Sequence, residues 1–307
     1  MLKKLINANN KLGFFIIYAL YRPIQLFLEW QKIKINRLLK SKKNKDVVNL
    51  KNAHKGEVCI IVGNGPSAKL EDFDIIAESN VVSFGANRII DVFDKTKWRP
   101  TYMSVMDISF LVASNKTTTP KEYLSNLKKY GIKKLFTTQK LKPYIKSSCD
   151  FLENVLLLDC AYSPIYSEKV RPFSSDISSY ISDLGNVTPF AIQIAVYMGF
   201  EKIYLYGMDN TYTKYLNNDG KFIIDEKQSN YISGITLKDC EQRERPIAKN
   251  KFEAFKEIYA DKRKNDIGYD MCRVYAEKNG VEIINLTHGG KLDVFKRQNF
   301  YEVFCKK

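Results

Sequence analysis

The chain has 307 residues, a formal net charge of +15 at pH 7, and 45% hydrophobic and 13% aromatic residues. This composition excludes a disordered chain, a collagen-like repeat and a small disulfide-stabilised protein, and the length allows one large or two small domains. The charge is uneven, because residues 1–50 carry a net +9 and the rest of the chain a net +6. Nucleic-acid binders usually spread basic side chains over the folded surface, so we expect no nucleic-acid partner.

Residues 1–50 are predicted to form a basic, aromatic-rich helical segment that ends in a linker. Two apolar runs, Leu12–Tyr21 and Ile24–Trp30, are separated by Arg22 and Pro23 and flanked by lysines. A membrane-spanning helix needs about 20 mostly apolar residues, which this interruption prevents. The pattern is typical of an amphipathic helix lying on an anionic membrane surface. It predicts a cytoplasmic protein attached peripherally to the inner face of a bacterial membrane; a helical hairpin packed on the body or on a dimer partner is the alternative.

Residues 51–307 are predicted to form the body, an α/β fold. Seven short apolar runs predict strands at Glu57–Val62, Val81–Phe84, Tyr102–Met106, Lys134–Thr138, Val155–Leu158, Lys202–Tyr206 and Val281–Asn285. Helical patterns lie between them, including one at Pro189–Gly199 with Thr188 as its N-cap. Strands that alternate with helices indicate a Rossmann-like, mostly parallel sheet with helices on both faces.

Cysteine and histidine usage predicts no metal site. The six cysteines include no C-x-x-C pair, so free thiols are expected, and the only histidines are His54 and His288. The segment Asp72-Phe-Asp74 formally matches a metal-binding D-x-D motif, but it falls inside the first predicted helix of the body. We interpret these two carboxylates as acids near a helix N-terminus.

The loop after the first predicted strand of the body is the first candidate for ligand binding, because parallel sheets bind ligands at the carboxyl ends of their strands. It consists of Gly63, Asn64, Gly65, Pro66 and Ser67. The glycines allow close approach of the backbone to a ligand, and the serine can cap a helix or donate to a phosphate. The loop is neither a G-x-G-x-x-G motif nor a P-loop, and a tight turn without a ligand is the alternative.

Further polar residues follow the later strands. Asn87 and Asp107 end the second and third strand regions, and an amide side chain such as that of Asn87 can hydrogen-bond a pyrimidine or ribose edge. Asn186 and Thr188 begin a helix whose N-terminus can hold an anion. Turn and capping roles are the alternatives for all four residues.

The last two strands are followed by candidate catalytic groups. Asp209 ends the sixth strand region, and Tyr212 and Tyr215 come soon after it, where a neutral phenol can hydrogen-bond a leaving phosphate. His288 follows the seventh strand, and imidazole is a base near neutral pH. Surface tyrosines and an ordinary loop histidine are the alternatives.

The motifs GNGPS, GANR, GNVTPFAIQIAVYMGFEKIYLYGMDNTY and INLTHGG, spread over residues 55–297, resemble those of a known family. They are similar to the 6-hydroxymethylpterin diphosphokinase-like domain family of bacterial surface-polysaccharide loci and, in their order, to the family 42 sialyltransferases. The resemblance implies a GT-A-like variant of the Rossmann-like fold and a metal-independent nucleotide site. Residues 63–67 and Asn87 would hold a cytidine nucleotide, Asp107 replaces an asparagine of the sialyltransferases, and Tyr212 and Tyr215 would assist the leaving phosphate.

Three functions follow as expectations. The first is an inverting glycosyltransferase that transfers a sugar, such as a nonulosonic or sialic acid, from a nucleotide-sugar donor to a surface glycan or lipid-linked acceptor. A CMP-linked sugar is a candidate donor. This enzyme needs no cofactor, and a homo-oligomer is compatible with it. The sialyltransferases have their histidine base in a region that here, at residues 259–265, holds none, so either His288 or Asp261 takes that role or the reaction differs. The alternatives are a pterin diphosphokinase, with Asp107 and Asp209 as Mg²⁺ ligands, and a non-catalytic nucleotide-binding protein.

Overall fold

The computed structural model describes residues 45–106, 119–145, 155–161, 173–210, 214–216, 222–224 and 266–305, together with residues 24, 27, 28, 31 and 232. The strands in this part of the chain are β1 (Val58–Val62), β2 (Val82–Ala86), β3 (Tyr102–Val105), β4 (Lys134–Thr138), β5 (Val155–Leu158), β6 (Cys160–Ala161), β7 (Ile181–Ser182), β8 (Lys202–Tyr206), β9 (Lys214–Leu216), β10 (Phe222–Ile224), β11 (Glu282–Asn285) and β12 (Lys296–Arg297). Eight of them form one parallel sheet in the order β12-β11-β8-β1-β2-β3-β4-β5. The α/β fold and all seven predicted strands are therefore confirmed.

The helices described alongside these strands are α1 (Lys45–Val48), α2 (Leu70–Glu78), α3 (Pro120–Lys129), α4 (Lys142–Ile145), α5 (Val187–Tyr197), α6 (266–278) and α7 (Phe300–Phe304), with 3₁₀ segments at Asn87–Lys95 and Gln139–Leu141. They cover both faces of the sheet. On β1, Cys59 and Ile61 pack into the apolar cluster that contains α5, whereas Ile60 and Val62 pack into the cluster that contains α2. This alternation explains why β1 reads as an unbroken apolar run.

Helix α5 begins earlier than the sequence predicts. Its N-cap is Asn186, whose side-chain oxygen accepts a hydrogen bond from the Thr188 backbone N–H at 2.9 Å. The prediction of Thr188 as N-cap was therefore wrong: Thr188 lies in the first turn, and Pro189 follows it as the third helical residue. Both Asn and Thr are good N-caps, and Asn186 is the one that has extended backbone here.

A fully buried glutamine ties α5 to the chain that precedes it. The Gln193 side-chain oxygen accepts from the backbone N–H groups of Ser174 and Ser182, at 3.0 and 3.1 Å. Its NH₂ group donates to the backbone carbonyls of Ser182 and Pro189, at 2.9 and 3.2 Å. All the hydrogen-bonding capacity of this amide is thus used, as a buried polar group requires.

Residues 45–50 pack onto the body, although the sequence analysis placed them in the N-terminal segment and linker. Val47 is wholly buried and Leu50 is 9% exposed, and both belong to the cluster around α5. The folded body therefore begins no later than Lys45. Among the described residues, there is no apolar helix of the length that a membrane span needs.

Candidate functional site

The strand order of the sheet reverses between β1 and β8. Strands β2 to β5 lie on one side of β1, and β8, β11 and β12 lie on the other. The loops that leave β1 and β8 therefore emerge side by side and turn towards opposite ends of the sheet. In open α/β sheets, ligands bind at such a switch point, outside the carboxyl ends of the strands.

The two loops at this switch point are in direct backbone contact. The Gly63 and Gly65 N–H groups donate to the Tyr206 and Gly207 carbonyls, at 2.8 and 2.9 Å. A Cβ atom on Gly65 would lie 2.6 Å from the Gly207 oxygen and only 1.8 Å from the Asp209 carboxylate. Contact between the loops accordingly explains both glycines of GNGPS without a ligand.

Asp209 joins three loops. Its carboxylate accepts hydrogen bonds from the Ser67 hydroxyl at 2.8 Å and from the Ser67 N–H at 3.4 Å. Its carbonyl accepts from the Lys291 N–H at 2.6 Å, and a Cβ on Gly290 would lie 2.8 Å from the Asp209 Cα. Burial raises the pKa of Asp209, and the Ser67 hydrogen bonds oppose this shift. The Ser67 hydroxyl therefore already donates its proton to the Asp209 carboxylate.

Asn64 and Asn87 connect the first two strand ends. The Asn64 side-chain NH₂ donates to the Ala86 carbonyl at 2.8 Å, which holds the GNGPS loop against the end of β2. Asn87 has a left-handed backbone, with φ of 46°, and its carbonyl accepts from the Tyr123 hydroxyl at 2.7 Å. The Asn87 side-chain oxygen is buried and has no hydrogen-bond partner among the described residues. Such an atom costs about 1–3 kcal/mol, which a donor on a ligand would recover.

The N-terminus of α5, where the sequence predicts an anion site, lies beside the loop after β8. The Thr188 hydroxyl donates to the Met208 sulfur at 3.0 Å, and the Met208 N–H donates to the Thr287 hydroxyl at 2.9 Å. Few N–H groups remain for an anion, however, because Asn186 takes the one on Thr188 and Pro189 has none. The dipole of the helix still favours negative charge at this end.

His288 is hydrogen-bonded to Asp72, which the sequence pattern indicated only as an acid near a helix N-terminus. Its Nε2 lies 2.6 Å from the Asp72 Oδ2, and the Tyr206 hydroxyl donates to the same oxygen at 2.5 Å. Asp72 is wholly buried, whereas the His288 side chain is 25% exposed. Asp72 is therefore a buried partner of the histidine. Asp74 lies apart from this pair, because its carboxylate accepts from the Thr96 hydroxyl and the Lys97 N–H, both at 2.7 Å.

Three predicted site residues cannot be placed. Asp107 and Tyr212 lie outside the described residues, and for Tyr215 only the backbone of β9 is described. Residues 259–265 are also outside them. Within the described part of the chain, no group of three or more His, Cys, Asp or Glu residues could hold a metal ion.

Comparison with known proteins gives one sequence family and two structures of interest. The profile of the family described as 6-hydroxymethylpterin diphosphokinase MptE-like matches residues 34–215, more than half of the chain. No curated protein matches the chain. The MAf glycosyltransferase from Magnetospirillum magneticum AMB-1 aligns at 14% identity and a TM-score of 0.45 over 81% of this chain, which corresponds to only 35% of the MAf chain. The sialyltransferase CstII from Campylobacter jejuni, solved with cytidine-5'-monophosphate, aligns at 14% identity and a TM-score of 0.41 over 79% of this chain and 85% of its own.

The contact between the two loops predicts that Gly65 tolerates no side chain. Gly65→Ala should lower the free energy of unfolding by at least about 2 kcal/mol, because the added methyl group overlaps a backbone carbonyl and a carboxylate. Gly131→Asn is the control, since nothing lies within 4 Å of a Cβ there and asparagine tolerates its left-handed backbone. Urea unfolding at pH 7 measures both. Equal stability of the two variants would show that the loops do not pack as described.

Proposed function

The chain belongs to the family described as 6-hydroxymethylpterin diphosphokinase MptE-like, and we propose that it is a glycosyltransferase that moves a sugar from a nucleotide donor to a surface glycan or lipid-linked acceptor. The reaction proposed is inverting and needs no metal. One observation carries the proposal: around the switch point, a buried amide oxygen without a partner among the described residues, a helix N-terminus and an acid-paired histidine share the carboxyl edge of the sheet. A nucleotide site and a base are the two elements that such a reaction requires.

The donor would lie along the ends of β1 and β2. The Asn87 side-chain oxygen, which has no partner among the described residues, supports recognition of an N–H or O–H group on a base or ribose, beside the GNGPS loop that Asn64 holds against the end of β2. The N-terminal dipole of α5 favours the phosphate of the donor. The net charge of +6 outside residues 1–50 also favours an anionic substrate such as a CMP-linked nonulosonic acid.

In the proposed reaction, His288 accepts the proton of the acceptor hydroxyl while the oxygen of that hydroxyl forms a bond to the anomeric carbon of the donor sugar. The bond from that carbon to the donor phosphate breaks at the same time, and the phosphate leaves with the electron pair. Tyr212 and Tyr215 would hydrogen-bond the leaving phosphate. A positioned general base of this kind typically contributes about 10²–10⁴-fold in rate.

The description of the family favours a second candidate, a pterin diphosphokinase. Phosphoryl transfer from ATP relies on Mg²⁺ held by acidic side chains, for which Asp107 and Asp209 are candidates. The Asp209 carboxylate is buried and already accepts from the Ser67 hydroxyl, so metal binding there would have to displace that contact. For this reason we rank the diphosphokinase below the glycosyltransferase.

Turnover assays with CMP-, UDP- and GDP-linked sugars should find one donor class that is used equally well in EDTA and in MgCl₂. His288→Gln should lower kcat by about 10²–10⁴-fold through loss of the base. His54→Gln is the matched control, because His54 contacts Tyr102 and Glu57 instead. Mg²⁺-dependent transfer from ATP to a pterin, or nucleotide binding without any product, would contradict the proposal.

We further propose that residues 1–44 attach the protein to an anionic membrane surface. Ile24, Phe27 and Leu28 are in helical positions and are 60%, 58% and 61% exposed. Their spacing of three and four residues puts them on one face of a helix. Lysines flank this segment in sequence, and each contributes about 1 kcal/mol near an anionic leaflet.

Flotation with liposomes that contain phosphatidylglycerol should recover the full chain, and deletion of residues 1–44 should abolish this recovery while leaving α1 in place. The control liposomes contain phosphatidylcholine alone and should bind much less of the full chain, because the lysines gain nothing from a neutral surface. Equal recovery of the deleted and full chains would refute the attachment.

A further inference from the structure

We propose that Asp72 and Tyr206 hold His288 in a single tautomer, with the ring proton on Nε2, so that Nδ1 is the atom that accepts the proton of the acceptor hydroxyl. Asp72 and Tyr206 are then positioning residues, because neither needs to touch substrate. The catalytic meaning of this inference rests on the proposed function. The tautomer itself is a property of the free protein and can be measured without substrate.

The N-cap residue of α2, Lys69, sets the direction of the hydrogen bonds. The Lys69 N–H donates to the Tyr206 hydroxyl oxygen at 2.9 Å. The hydroxyl proton is therefore directed elsewhere, and the Asp72 Oδ2 lies 2.5 Å away to receive it. Burial, and after it the hydrogen bond to Asp72, raises the pKa of Tyr206, so this phenol keeps its proton. The Oδ2 atom is thus fixed as an acceptor.

The same oxygen faces the ring of His288. Because Oδ2 already accepts from Tyr206, the Nε2 atom at 2.6 Å completes the arrangement when it carries a proton and donates. Asp72 is wholly buried, and its other oxygen has no partner among the described residues. A buried carboxylate that lost one of these two donors would pay a large desolvation cost. This cost holds the proton on Nε2 and leaves the lone pair on Nδ1.

The surroundings of the ring restrict its rotation. The Tyr206 ring stands at 87° to it with the centroids 5.7 Å apart, and the rings of Phe300 and Tyr301 lie 6.0 and 5.6 Å away. Arg297 fixes the backbone on both sides of the histidine, since its guanidinium donates to the Thr287 and Gly289 carbonyls. The exposed quarter of the side chain is the part that a substrate can reach.

The charged and titratable groups around His288 come from four elements. Asp72 lies on α2, Tyr206 on β8 and Tyr301 on α7, whereas Arg297 is in β12. The Lys69 ammonium donates to the Tyr301 hydroxyl at 3.3 Å. In the reaction, the proton from the acceptor hydroxyl would move to Nδ1, and the resulting imidazolium would keep its Nε2–H on Asp72. The acid thus stabilises the charge that forms, without exchanging a proton itself.

The first test is the tautomer in the wild-type protein. Two-bond ¹H–¹⁵N correlation spectra of protein labelled with ¹⁵N-histidine distinguish a protonated Nε2 from a protonated Nδ1. The sequence has only two histidines, so His54→Gln assigns the signals. We expect neutral His288 to carry its proton on Nε2. A proton on Nδ1, or signals averaged over both tautomers, would overturn the inference.

The second test removes the acid. In Asp72→Ala, Nε2 loses its acceptor, so the His288 signals should average over both tautomers. The kcat of glycosyl transfer should fall by about 10²–10⁴-fold with little change in the KM for the donor, because the base is no longer oriented. Asp74→Ala is the matched control on the same helix, because Asp74 accepts from Thr96 and Lys97. It should leave the His288 tautomer and kcat unchanged.

The outcomes separate this inference from the proposed function. If Asp72→Ala folds and His288 keeps its proton on Nε2, the positioning role is wrong. If the wild-type and variant spectra are as expected and no donor is turned over, the positioning role stands and the glycosyltransferase proposal fails. If Asp72→Ala does not fold, the wild-type spectrum alone still decides the tautomer.

Discussion

Two loops that leave neighbouring strands of the sheet pack so closely that there is no room for a side chain at Gly65. The β1 loop donates two backbone hydrogen bonds to the end of β8, and Asp209 holds Ser67 from the other side. The Lys291 N–H in turn binds the Asp209 carbonyl, which brings in the loop after β11. The positions of three strand ends therefore depend on one backbone contact. A displacement there would move Ser67, Asp209 and the loop after β11 that carries His288.

The end of strand β8 and the loop after it contact both faces of the sheet. The last residue of the strand, Tyr206, binds Asp72 on the face that α2 covers, and Met208 receives the Thr188 hydroxyl on the face that α5 covers. The same methionine is held by Thr287 through its backbone N–H. A donor bound at the start of α5 and a base at His288 would thus be positioned by one short segment.

The sequence predicted the sheet well because the strands of a parallel sheet are buried on both faces and read as compact apolar runs, as in Val58–Val62. Strands of two or three residues, such as β7 and β12, carry no such pattern and were not predicted. The glycines of GNGPS were singled out as ligand-binding residues, and a sequence pattern could not distinguish contact with a ligand from contact with another loop. Asp72 was missed as a partner of His288 because the two residues are 216 positions apart. Only the fold brings them together, and Asp107 and Tyr212 remain predictions.

If the junction of the β1 and β8 loops is a nucleotide site, crystals of the full chain soaked with CMP and, separately, with UMP will show it most directly. We expect density for one nucleotide across the ends of β1 and β2, with an N–H or O–H group of the base or ribose on the Asn87 side-chain oxygen and the phosphate near the start of α5. A nucleotide bound elsewhere, with the Asn87 oxygen still unpaired, would contradict it.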